Sequence, residues 1–195
     1  MAFVFRPSDY GPEVDEILRL DGNGERLMPL AMERCSSEAA CERLRGVSAS
    51  RLFPQARAPE AALSGLYVYF SCFEGAHTIA QDISTMEGSY WHAIVHRQEP
   101  DAGNAAYWFR QVGAHPIFAA LAEAARRPAP WDPFAFIDMC EQAAPAWLGA
   151  GGQRAGYPAR GVADAVRLLR TRGLTLRRRA TGGWNGDGFG LLKGT

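Results

Sequence analysis

His92 and His96 stand four residues apart, so a helix would carry both imidazoles on one face, about one turn apart. That spacing suits three roles: two ring nitrogens converging on one metal ion, metal-free proton transfer, or ordinary packing with hydrogen-bonded rings. A metal would need a third ligand, for which His77, His115, Glu87, Glu99 and Asp101 are the candidates, and an open coordination position would then permit catalysis. The zincin protease pattern requires Glu directly after the first His, and Ala93 stands there. The candidate catalytic set is His92, His96 and His77, with His92 and His96 as the metal-ligating pair.

The surrounding block, residues 87–116, holds three of the four histidines and two of the five tryptophans, so groups that titrate, donate and stack are crowded together. Arg97, Glu99, Asp101 and Arg110 fit a clamp for a carboxylate or phosphate, with the acids holding the guanidinium groups in place. They fit equally well a structural ion-pair cluster around the Pro100 turn. Asn104, Tyr107, Trp108 and Gln111 share one face of a helix, which reads as the wall of a planar-ligand site or as packing with polar tips satisfied. There is no dinucleotide-binding glycine pattern after a strand, no P-loop, no nucleophile elbow and no kinase signature.

The elements that must hold these residues are helices. Residues 12–20 are acidic early and apolar late, and stop at Asp21-Gly22-Asn23-Gly24, a strong turn signal. Residues 25–35 read as a second helix, broken or kinked near Pro29. Ser36-Ser37 caps a helix to Arg45, ended by Gly46. Residues 59–83 are the longest uninterrupted stretch of helical periodicity, with a broad apolar face and a polar row of Glu74, His77, Gln81 and Ser84. Further helices are expected over 88–98, over 102–112 with Asp101 as cap, over 115–127, and from Asp132-Pro133 to about 143. No alternating strand pattern of useful length precedes residue 150. The expected fold is all-α, a single bundle-like domain over 1–158 followed by an irregular tail.

Composition narrows the class. With 47% hydrophobic and 22% charged residues the chain is an ordinary globular one, and no apolar run approaches the ~20 residues of a membrane span. The expected partner is a small-molecule ligand, with no membrane association. Cys35, Cys41, Cys72 and Cys140 include no C-x-x-C pair, so reduced thiols in a cytoplasmic protein are expected, with Cys72 buried and inert between Phe70 and Phe73. The net charge of zero conceals an asymmetry. Residues 1–153 carry 12 Arg against 19 Asp and Glu, a net of −7, whereas 154–195 carry 8 Arg and Lys193 against Asp164 and Asp187, a net of +7.

Residues 91–116 resemble a family of uncharacterised bacterial and fungal proteins with the signature Trp-His-Ala-Ile-x-His-Arg-x-Glu-Pro-Asp-x-x-Asn-Ala-x-Tyr-Trp-Phe-Arg-x-Val-Gly-x-His-Pro. The segment from Glu74 to Gln81 and the run from Asp132 to Asp138 are similar to flanking parts of that family, so the resemblance spans roughly 60–145. It implies no settled activity. It does imply a closing helix like Glu-Trp-x-x-Leu-Phe-Asp-Tyr-Cys, which is absent here. Suitable codons for residues 159–170, read one base later, encode such a run. The Arg/Gly-rich tail, 159–195, is therefore expected to be a frameshift product, which the coding DNA decides, and nucleic acid ranks last among expected partners. The expectation is a small-molecule enzyme with acid–base or metal-assisted chemistry on an anionic substrate at residues 77–115, a divalent metal being the candidate cofactor. The alternative is a non-catalytic binding protein using the same pocket.

Overall fold

The computed structural model describes residues 10–147 apart from 27, 55, 116 and 125–130. Helix α1 (Pro12–Arg19) leads through a short 3-10 turn (Gly22–Gly24) and an irregular segment to α2 (Glu38–Arg45) and α3 (Ala49–Leu52). Then come α4 (Pro59–Tyr69), α5 (Phe73–Ala80), α6 (Met86–Gln98), α7 (Ala102–Val112), α8 (Ile117–Ala124) and α9 (Pro133–Trp147). The described residues contain no strand, so the fold is all-α, and no helix among them is long and apolar enough to cross a membrane. The anomalous tail, 159–195, lies outside the described residues.

Starts and stops follow local chemistry. Ser37 accepts a hydrogen bond from the Ala40 amide at 3.2 Å to open α2, and Asp101 accepts one from the Asn104 amide at 3.1 Å to open α7. Asp132 accepts from the Phe134 and Ala135 amides ahead of α9. Helix α6 begins two residues earlier than the sequence suggests, because Thr85 accepts from the Gly88 amide.

Two helices buried almost all round, α4 and α6, form the centre; α5 packs against both, α7 against α6, and α2 and α3 against α4, while α9 packs on α7 and α1 on α2. Gly65 lets α4 and α6 meet, since a Cβ there would lie 2.5 Å from the Trp91 ring. The same logic joins α4 to α5, where a Cβ on Gly75 would reach 2.7 Å from the Tyr67 ring.

The expected single helix over 59–83 is two helices. The chain breaks at Phe70–Cys72, with Ser71 in the left-handed region at φ 58°. The stretch from Leu66 to Phe73 is apolar on every side, so a straight helix would leave half of it in water. Folding back into the α4–α5 pair buries both halves. The expected helix over 25–35 does not form either. Pro29 has no amide hydrogen to donate, and the backbone there bonds instead to the end of α6: the Met32 amide donates to the Gln98 carbonyl at 2.6 Å, and Gln98 Nε2 donates to the Pro29 carbonyl at 2.7 Å.

Candidate functional site

Helices α5 and α6 bring three histidines together. His92 and His96 project from successive turns of α6, and His77 reaches across from α5. Ring centroids are 4.7 Å apart for His77–His92, 5.2 Å for His77–His96 and 4.7 Å for His92–His96. The Nε2 atoms of His92 and His96 are 3.1 Å apart, and one potential ligand nitrogen from each of the three rings lies within 4.8 Å of the others. His92 is 4% exposed, and His77 and His96 are partly covered. The His92 ring packs on Trp108 of α7 at 4.1 Å, and Tyr107 meets Trp108 edge-on at the surface.

The turn after α6 supplies acids to the cluster. The Asp101 amide donates to the His96 carbonyl at 2.9 Å, which folds the Glu99-Pro100-Asp101 segment back over the helix end. His96 Nδ1 then sits 3.2 Å from Glu99 Oε2 and 4.0 Å from Asp101 Oδ2. Asp101 does a second job as cap of α7. Hydrogen bonds from the Asn104 amide and side chain hold its carboxyl below the usual carboxylate range, with His96 assisting. His92 behaves oppositely. Burial first, and then the neighbouring His96 and His77, push its pKa down to about 4, so its ring is neutral at pH 7. Its buried Nδ1 has no hydrogen-bond partner among the described residues.

Other expected site residues go elsewhere. Arg97 is not part of an anion clamp at the histidines. It is 4% exposed and points into the fold, donating to the Leu30 carbonyl at 2.7 Å and to Cys140 Sγ at 3.6 Å, with its guanidinium over the Phe136 ring. One residue past His96 on α6 is about 100° round the helix, which turns Arg97 away from the cluster. Arg110 is exposed on α7, two residues and about 200° beyond Trp108. Asn104 is engaged in the Asp101 cap. His115 lies against Tyr90, near the other end of α6, with the rings stacked at 6.0 Å. Its Nδ1 accepts a hydrogen bond from the Ile117 amide at 3.1 Å, so it helps start α8 rather than joining the other three. Glu87, in the first turn of α6, is on that side too.

A second cluster has no counterpart in the sequence reading. Cys72 is half-buried as the N-terminal flanking residue of α5 and is joined to Cys41 of α2 in a disulfide. Cys35 Sγ lies 2.6 Å from Cys41 Sγ and 3.5 Å from Cys72 Sγ. The expectation of reduced thiols, with Cys72 buried and inert among aromatic rings, is corrected by this disulfide, which the break at Phe70–Cys72 makes possible. That break swings Cys72 out of the α4 axis, and Cys35 arrives because the Ser36 amide and hydroxyl both donate to the Phe70 carbonyl. The five-residue gap between Cys35 and Cys41 was visible in the sequence; the third member, 31 residues on, was not a local signal.

Comparison with protein families, with characterised proteins and with solved structures finds no match to this chain.

Proposed function

We propose that the chain is a metal-dependent enzyme acting on a small molecule, with His77, His92 and His96 as the ligands of one divalent cation. The observation that carries this reading is the convergence of three imidazoles from two helices beside carboxylates that face the far nitrogen of one ring. Three imidazole rings crowded together gain little from one another, whereas three nitrogen ligands with one position left open is a common arrangement of catalytic zinc. The low pKa of His92 favours ligation, because only the neutral imidazole can donate its lone pair to a metal. Glu99 is placed to orient His96, the role that carboxylates play behind metal-bound histidines. Trp108 covers His92 and supplies a flat wall for a bound molecule, with Tyr107 edge-on to it at the surface.

A cation held there would lower the pKa of bound water and polarise a substrate oxygen. It would also attract an anionic substrate without help from Arg97, whose charge is committed to the Leu30 carbonyl. The family resemblance across 60–145 is proposed on the same footing, since it covers all three histidines.

The test is metal analysis of protein purified without chelator, paired with turnover of hydrolysable esters, amides and phosphates. About one equivalent of Zn, Fe, Mn or Ni is expected, with both metal and turnover lost in a His92→Ala/His96→Ala variant that still folds. Turnover that survives complete removal of metal would instead assign the histidines to acid–base work. Saturable tryptophan quenching by ligands with no turnover would support the binding-protein alternative, which rests on the Trp108 wall.

A further inference from the structure

The three cysteines form a second cluster that the histidine chemistry does not use. Cys35, Cys41 and Cys72 come from three separate segments, and their sulfurs all lie within 4.8 Å of one another. The convergence is built into the backbone: the paired hydrogen bonds from Ser36 to the Phe70 carbonyl tie the Cys35 segment to the turn that carries Cys72, and the Cys72 amide donates to the Tyr67 carbonyl at 2.8 Å. A disulfide engages two of these sulfurs and leaves Cys35 in contact with both. A cleft of about 730 Å³ opens directly on the cluster, lined by Glu38, Glu42 and Glu74, with Arg45 the single cation among the described lining residues. An acidic rim opposes free thiolates, which need positive surroundings, but it suits a cation that neutralises them.

We propose that, in its reduced form, the Cys35–Cys41–Cys72 cluster is a trithiolate site for one thiophilic cation of the Zn(II) class, with its fourth position facing the acidic cleft. The Cys41–Cys72 disulfide is then the metal-free form of the same site. Reduction by a phosphine or dithiol breaks the S–S bond with uptake of two electrons and two protons, giving two thiols. On metal binding the three thiols release their protons to the buffer and become thiolate ligands at about 2.3 Å from the ion. The acids lining the cleft offer an oxygen for the fourth position, or water fills it. This inference does not depend on the histidine site.

The experiment adds Co(II), a spectroscopic substitute for Zn(II), to the full chain reduced with a phosphine and kept anaerobic. A sulfur-to-cobalt charge-transfer band saturating at about one equivalent is expected, displaced by Zn(II) and lost in Cys35→Ser and Cys72→Ser variants of unchanged helical circular dichroism. Imidazole ligands give no such band, so failure here leaves the histidine reading standing, and the reverse also holds. No band from reduced, folded protein, or a band of equal strength in Cys35→Ser, overturns the proposal. A measurement on the unmutated chain guards against variants that misfold: Zn(II) should slow alkylation of half-exposed Cys35, and alkylation at an unchanged rate also overturns it.

Discussion

The histidine and cysteine clusters differ in how they are written into the chain. Two of the three histidines lie one turn apart on a single helix, and the acids that face His96 follow within five residues of it. The cysteine cluster joins a loop, a helix and the residue preceding another helix, and exists only because a long helical stretch breaks at Phe70–Cys72. The His92/His96 pair is set by helical periodicity and one turn; His77 and the cysteine cluster both depend on the α4–α5 corner. The pair and its acids should therefore tolerate movement of that corner, while the cysteine cluster and the third histidine should be lost with it.

The most severe break should come at the centre that holds both. Gly65→Val places methyl groups where the Trp91 ring already sits, and overpacking of this kind costs about 3 kcal/mol. Chemical denaturation should show that loss, with both clusters disturbed. Next is Arg97→Met, which keeps the volume but leaves the Leu30 carbonyl without its donor, a loss of about 1–3 kcal/mol. Metal content at the histidines should not change, which separates Arg97 from the site that sequence adjacency suggests.

Glu99→Gln is the complementary change. It removes the charge facing His96 Nδ1 and should weaken metal binding about 10–100-fold in a competition titration, with the melting temperature of the metal-free protein nearly unchanged. The smallest effect belongs to His115. Burial holds its pKa below the ordinary value, so the unfolded chain takes up a proton first as pH falls. Its contribution to stability is whole above about pH 6.5 and declines as pH drops from there towards the folded-state value. Protonation also removes the acceptor that Nδ1 offers the Ile117 amide. His115→Gln should therefore show a smaller fall in melting temperature between pH 7.5 and 5.5 than the native chain.

The all-α class, the caps at Ser37, Asp101 and Asp132, and the His92/His96 pair were legible because each depends on neighbours within a turn or two. His77 was named from its place on a polar row, but its approach to α6 rests on the corner at Ser71, which no turn residue announces. Arg97 departs from expectation for a related reason. Its type suggests an anion clamp, but its partners are the Leu30 carbonyl, 67 residues earlier, and Cys140, 43 residues later. The helix expected at 25–35 failed because its backbone groups found partners at the end of α6, a competition that local propensity does not register.

X-ray absorption at the metal edge of the zinc-loaded, non-reduced chain tests the histidine centre most directly. The expected first shell is three imidazole nitrogens at about 2.0–2.1 Å plus one oxygen, with no sulfur at about 2.3 Å until a reductant is added. A shell of oxygens without imidazole scattering, or one unchanged in the His92→Ala/His96→Ala variant, would contradict it.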